Sequence, residues 1–441
     1  MITLFTKLAA FAFYLGTSVI IARLMGPAIT GAYTLFLVSL EVAVLLVLCG
    51  LGAANVYHGA RDRGLLPGLV GNSLLAALVL GLVSLVVSQM LISSSDLGHY
   101  YIENSIDVEL LSEFMYLIPA LLLQRYMIEI VRAAGDILAY NLLNLWRAIA
   151  GLLVLASLVL LYKHSLETAL NAWAVATIIT LIPTLIWTLK AASWRVAVDL
   201  SLLWSCVRFG MRLHLGNVAQ FLNYRLDIFL VAFFLGPFEV GIYGVATTLA
   251  EKLWEIPHAI RTGLLYRVAS ESEANVAAKT TGQVTRIIAI LMAGVCIVFS
   301  LISYPIVVGL YGEKFSPVVL PLIMLMPGVW ALSIGKILSV HLAGVGKPEM
   351  ATYGALLSLV TTIALDILLI PSMGTAGAAI ASSIAYAIST AFYLACFVYI
   401  TGSSISRVLI PGRDDLASMA RSLGHPYLGL VTSRFSKAKS K

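Results

Sequence analysis

Gly236-Pro237-Phe238-Glu239-Val240-Gly241-Ile242-Tyr243 repeats the pattern of Gly26-Pro27-Ala28-Ile29-Thr30-Gly31-Ala32-Tyr33 at an offset of 210 (236 − 26). Each copy lies between two long apolar runs. A glycine followed by proline has the chemistry of a tight turn that ends one helix and starts the next. At the same offset Glu41 falls opposite Glu251, and both lie inside the following apolar run. A second echo pairs Ala134-Gly135-Asp136 with Val345-Gly346-Lys347 at 211 (345 − 134). The chain therefore reads as two halves of similar plan.

Composition says what solvates those halves. Of 441 residues, 60% are hydrophobic and only 11% charged, and the mean hydropathy is +0.96. A soluble protein carries about a quarter charged residues, so this chain is solvated by lipid. Cys49, Cys206, Cys296 and Cys396 all fall in apolar runs without metal-like spacing and read as small core residues. Residues 1–24 resemble a signal peptide, with Lys7 ahead of an apolar stretch, but no small-residue cleavage site follows. That segment is read as retained, as the first helix of a bundle.

Apolar runs long enough to cross a bilayer, each of about 20 residues, number about twelve. Their spans read 4–24, 29–57, 66–93, 111–132, 138–162, 166–189, 207–235, 239–265, 284–308, 317–342, 349–370 and 374–400. Arg61, Arg63, Arg132, Lys190, Arg195, Arg267, Lys279, Arg286 and Lys347 follow even-numbered spans, whereas the loop 94–110 has no Lys or Arg and four acids. Positive charge is retained on the cytoplasmic side, which places both termini inside. An even number of spans per half gives a parallel repeat about a pseudo-two-fold axis along the membrane normal. The expected organisation is a six-helix lobe over 1–195, a second over 203–400, and a basic cytoplasmic tail over 401–441. A cleft between the lobes is the natural place for a substrate. The tail, with Arg407, Arg413, Arg421, Arg434, Lys437, Lys439 and Lys441, reads as attracted to anionic lipid, and nothing else supports a nucleic-acid partner.

Ionisable residues inside spans mark function, because each costs roughly 2.5–3.5 kcal/mol to place at the bilayer centre. In the seventh span Asn217, Gln220, Tyr224 and Asp227 share a sector of roughly 80° at 100° per residue, and Arg225 points away from it. The eighth carries a stripe of Glu251, Glu255 and His258 beside Lys252, around Pro257. Carboxylates at i and i+4 repel when both are ionised, which makes them candidates for proton coupling. The alternative is a local pair of Glu255 with Lys252, with His258 a packing residue. Arg125 and Glu129 are at i and i+4 and read as a local ion pair, while Arg147 lies too deep to snorkel. Lys336 and Asp366 pose the same question more weakly. Prolines 183, 257, 305, 321 and 327 allow kinks suited to a moving transporter. No Walker A sequence, metal-ligand spacing or large outer loop rich in acids, His and Arg appears, which argues against ATP hydrolysis, a cofactor or an enzyme.

The stretch Ala22-Arg23-Leu24-Met25-Gly26-Pro27 with Gly31-Ala32-Tyr33 resembles the start of the polysaccharide flippases of the multidrug/oligosaccharidyl-lipid/polysaccharide (MOP) exporter superfamily, with Met25 where Leu is usual. Asp227-Ile228-Phe229-Leu230, Gly344-Val345-Gly346-Lys347-Pro348 and Leu369-Ile370-Pro371-Ser372-Met373-Gly374 extend the likeness over most of 1–400. The resemblance implies an all-α, MATE-like fold and transport of a polyprenyl-pyrophosphate-linked oligosaccharide from the cytoplasmic to the outer leaflet. It also implies membrane lipid and other polysaccharide-assembly proteins as partners. A pyrophosphate needs a wet, cationic site, for which Arg225, Lys252 and Arg147 are deep enough, with Asn217, Gln220 and Tyr224 as polar lining. Glu41, Glu251, Glu255 and Asp227 are the candidates for ion coupling. A cation-coupled drug exporter on the same fold would favour carboxylates over cations, and a glycan-assembly enzyme would need catalytic residues at the outer surface.

Overall fold

The structure is a computed structural model that describes residues 2–93, 95–271 and 273–410; all of the tail's basic residues except Arg407 lie outside that range. The described residues form helices and no strand. The first half contains α1 (Ile2–Val47), α2 (Leu51–Arg61), α3 (Leu66–Ile92), α4 (Ser95–Glu103), α5 (Val108–Met115), α6 (Ile118–Ala133), α7 (Ile137–Leu161) and α8 (Leu166–Ala191). The second contains α9 (Leu200–Leu235), α10 (Pro237–Lys252), α11 (Glu255–Ser270), α12 (Ala274–Leu301) and α13 (Ser303–Tyr311). It ends with α14 (Val319–Gly344), α15 (Glu349–Met373), α16 (Thr375–Thr401) and the short α17 (Ile405–Leu409).

Among the described residues nine helices are long and apolar enough to cross a membrane, and α5 with α6, bent by 41°, is either a tenth, broken span or a re-entrant pair. Helix α1 has 46 residues, about 69 Å if straight at 1.5 Å per residue and more than twice the roughly 30 Å of a hydrocarbon core. Gly26 divides it into two spans.

The repeated motif is this break. Gly26 has φ 80 and ψ 177, and Gly236 has φ 86 and ψ −178, a backbone region open essentially to glycine alone. Pro27 and Pro237 then take the first helical position, where a missing N–H costs nothing. The turn expected from the sequence is a single residue. The two copies also meet. A Cβ on Gly31 would lie 1.8 Å from the Pro237 carbonyl oxygen, and one on Gly241 would lie 2.1 Å from that of Pro27. Backbone rests on backbone, reciprocally. The motif arginine is used as well: Arg23 Nε donates to Leu310 O at 2.6 Å and Nη2 to Gly309 O, capping the carbonyl end of α13.

The second echo is a pair of helix ends. Gly135 and Gly346 have φ 80 and 82, the left-handed termination favoured by glycine.

Two expectations are corrected. The acidic loop 94–110 contains α4 and the start of α5, with Asp107 accepting from the Glu109 N–H at 3.0 Å. The eighth span is two helices of 16 residues, α10 and α11, parted at Leu253 and Trp254. Pro257, in the first turn of α11, has no N–H for the carbonyl four residues back and its ring clashes there, so one helix cannot run through.

Packing divides the chain into two units. The first comprises Met1–Ala246, Tyr304–Val319 and Asp366–Ala378; the second comprises Thr247–Ser303, Leu320–Leu365 and Ala379–Lys441. In the first, α1 packs on α7, α7 on α8, and α6 on α2, α3 and α8. A polar seam runs inside it: Gln124 Nε2 donates to Thr180 Oγ1 at 2.8 Å and Thr188 Oγ1 to Met127 O at 3.1 Å. Such bonds hold helices together where lipid supplies no hydrophobic drive between them, each worth about 0.6–2 kcal/mol. The second unit uses the same device, with Ser383 donating to Met324 O and Thr390 to Ala331 O. Its core gathers Ile334, Leu338, Leu342, Tyr393 and Phe397.

Candidate functional site

Three groups of charged side chains lie within or beside spans. The first joins α1, α6 and α7. Arg125 Nη2 stands 3.5 Å from Glu41 Oε1, with the side chains 36% and 47% exposed, and Arg147, itself exposed, is near enough for its charge to act on Arg125. The expected Arg125–Glu129 pair does not form; Glu129 Oε2 meets Arg132 Nη2 at 2.7 Å instead. A glutamate N-terminal to its basic partner is the favoured order on a helix, and Arg125 precedes Glu129.

The second group joins α9, α10 and α15. Asp227 is buried, and Tyr243 Oη donates to its Oδ2 at 2.6 Å. Asp366 is wholly buried, and neither carboxylate oxygen has a hydrogen-bond partner among the described residues. It lies close enough to Asp227 for the two charges to interact. Tyr243 is the tyrosine of the repeated motif. At the repeat offsets, the first half has Thr17, Tyr33 and Leu155 where the second has Asp227, Tyr243 and Asp366. Leu155 belongs there to an apolar cluster with Ile21, Met25 and Tyr33. The fold is therefore built once without the carboxylates and once with them. Asn217, Gln220 and Tyr224 precede Asp227 on α9, the first exposed and the others half-buried. Arg225 Nη1 donates to the Tyr224 carbonyl at 3.1 Å.

The third group lies in the second packing unit, at the break between α10 and α11. Lys336 of α14 is buried, with Nζ 4.5 Å from the centroid of the Trp254 ring. The charges of Arg261, Glu251 and Glu255 act on it. Trp254 is fixed by its indole N–H, which donates to Val329 O at 3.2 Å, and by an edge contact with Tyr386 at 5.6 Å. Glu251 and His258 are half-buried, and Glu255 and Lys252 exposed. Glu251 and Glu255 thus share a cation from another helix, which the local spacing did not reveal. Among the described residues no group of three or more His, Cys, Asp or Glu side chains could hold a metal ion.

The structure pairs Glu41 with Arg125, on which the charge of Arg147 also acts, and brings Asp227 near enough to Asp366 for their charges to interact. It places Lys252 in a different packing unit from Arg225 and Arg147. Asp366 and Lys336 drew little weight in the sequence because a lone charge in an apolar run says nothing about what faces it. The signal that finds Tyr243 is the repeat itself.

Residues 20–320 match the model of the family described as polysaccharide biosynthesis protein. Comparison with curated proteins finds no match. Among solved structures, the lipid II flippase MurJ in an inward closed conformation superposes with a TM-score of 0.73 at 14% identity, over 96% of this chain and 93% of that one. An inward-facing MATE-family multidrug resistance transporter of the MOP superfamily gives 0.69 at 14% identity, over 88% and 94%. A MOP-superfamily transporter from Pyrococcus furiosus, described as having a binding pocket of reverse polarity, gives 0.66 at 14% identity, over 91% and 94%. The fold is that of these membrane transporters.

Proposed function

Since the chain belongs to the polysaccharide biosynthesis protein family, we propose that it moves a polyprenyl-pyrophosphate-linked oligosaccharide from the cytoplasmic to the outer leaflet of the cell membrane. The observation that supports this reading is the pairing of Arg125 with Glu41, with Arg147 near enough for its charge to act on Arg125. A pyrophosphate entering a membrane-embedded site needs charge-assisted donors, and planar guanidinium groups supply them in pairs. Arg225, with Asn217, Gln220 and Tyr224, is the further polar lining on α9, and Lys252, in the second packing unit, is a separate cationic candidate. A polyprenyl chain can stay in lipid throughout the transfer.

Uphill transfer needs a driving ion. Asp227 and Asp366, with Tyr243, are the groups that fit, because buried carboxylates side by side need a proton or small cation to balance them. Glu41, Glu251 and Glu255, each facing a cation, hold charges that shift as the site fills. Moving one charge through the membrane field is worth ~2.3 kcal/mol per 100 mV. The two six-helix lobes, 1–195 and 203–400, are the sequence repeats of this transporter, and both termini are cytoplasmic.

Binding separates this reading from drug export. Purified protein in nanodiscs is titrated with polyprenyl pyrophosphate and, separately, with tetraphenylphosphonium. Polyprenyl pyrophosphate binds, and Arg125→Gln with Arg147→Gln weakens it by about tenfold or more, the loss of one or two charge-assisted hydrogen bonds. Saturable binding of the lipophilic cation alone overturns the substrate class. Orientation is read from added cysteines: Glu103→Cys is labelled from outside the cell and Asp62→Cys is not, the reverse contradicting the direction of transport.

A further inference from the structure

Between α8 and α9 the chain runs without helix over residues 193–199, and α3 pins it. The Ala197 N–H donates to Pro67 O at 3.1 Å. Asn72, itself buried, donates through Nδ2 to Asp199 O at 2.8 Å and accepts the Asp199 N–H at 3.0 Å. The backbone of this connection between the two sequence halves is thus held in one place. Its side chains face outward and are apolar: Trp194, Val196, Val198 and Leu200 are 65%, 49%, 59% and 65% exposed, and Trp204, one turn into α9, is 63% exposed. On the opposite face of that turn Leu202, Cys206 and Gly210 are buried against the protein.

Lys190, Arg195, Arg208 and Arg212 surround this apolar strip and are exposed. The Arg208 guanidinium stands 5.7 Å from the Trp204 ring. The one acid in the stretch, Asp199, is engaged in capping α9 through the Leu202 N–H at 3.0 Å. Helix α8 and the part of α9 from His214 both qualify as spans. The connection between them therefore lies at the end of two membrane crossings. Leaving five large apolar side chains in water there forfeits the favourable free energy of burying them. Tryptophan favours the depth of the headgroups, and each Lys or Arg near an anionic surface adds attraction.

We propose that residues 194–200 and the first turns of α9 form a docking surface for anionic phospholipid headgroups of the adjoining leaflet. The bilayer surface then grips the connection between the halves on its outer side, as α3 does on its inner side. This inference is independent of the transported substrate.

The test uses the full chain in nanodiscs, with Val196→Cys carrying an environment-sensitive nitrobenzoxadiazole label and Asp62→Cys as the control. The unsubstituted chain, treated identically, corrects for its native cysteines. In phosphatidylcholine containing about 30% phosphatidylglycerol, quenching by headgroup-region spin-labelled lipid is about threefold greater at position 196 than at 62, and iodide quenching is correspondingly weaker. Arg208→Gln with Arg212→Gln removes the gain that phosphatidylglycerol gives. Equal iodide quenching at the two positions overturns docking altogether. Lipid quenching that ignores both phosphatidylglycerol and the arginine substitutions overturns the anionic specificity.

Discussion

Asp366 has neither carboxylate oxygen hydrogen-bonded among the described residues, feels the charge of Asp227, and occupies the place that Leu155 fills in the first half. An unsatisfied buried polar group costs about 1–3 kcal/mol. Asp366→Leu, which copies the first half, is therefore expected to raise the melting temperature of the purified protein while transport loses its response to an imposed proton or sodium gradient. Unchanged gradient dependence would remove Asp366 from coupling, and a lower melting temperature would show that its charge is already balanced. Asp227 was legible in the sequence because it extends a polar face of one helix; its partner was not, because α15 lies far along the chain. The i, i+4 rule likewise paired Arg125 with Glu129, whereas the arginine reaches another helix, where spacing within a helix has no say.

At the scale of elements, the crossing of the two Gly-Pro motifs leaves no room for a methyl group. Gly31→Ala and Gly241→Ala each force backbone apart and should destabilise the protein by about 1–3 kcal/mol, the usual cost of overpacking. Gly263→Ala, in α11 with nothing near its Cβ position, should be neutral, and thermal unfolding of the three variants checks the contrast. The cap of α9 gives a pH dependence. Asp199 has its pKa lowered, first by the Leu202 N–H and then by the Ser201 hydroxyl. A carboxylate with a depressed folded pKa stabilises the fold above its unfolded pKa and loses that effect as pH falls through the folded one. Asp199→Ala should therefore unfold at a lower temperature than the parent at pH 7, and the gap should close in acid. The sequence showed where these elements meet, since glycine and proline punctuate the chain. It did not show that the first Gly-Pro turn is one residue long, nor that Pro257 splits the eighth span.

For the whole molecule, the repeat announced the architecture, and each half adds charged residues of its own to the proposed function. The first half supplies Arg125 and Arg147; the second supplies Asp227, Tyr243 and Asp366. Packing does not follow the halves, because α9 and the start of α10 join the first unit through the Gly31–Gly241 crossing. No local pattern encodes that exchange, so it was invisible before the fold was known. Transfer of a pyrophosphate-linked glycan between leaflets is read directly as a change in leaflet asymmetry. Proteoliposomes are loaded with a fluorescent polyprenyl-pyrophosphate oligosaccharide, and a membrane-impermeant reductant reports the outer-leaflet fraction over time. The protein is expected to carry labelled glycan across, an ion gradient to bias its final distribution, and Arg125→Gln with Arg147→Gln to slow transfer by about tenfold or more, as one or two charge-assisted bonds require. Transfer no faster than in protein-free vesicles, with correctly folded protein present and a gradient imposed, would contradict it.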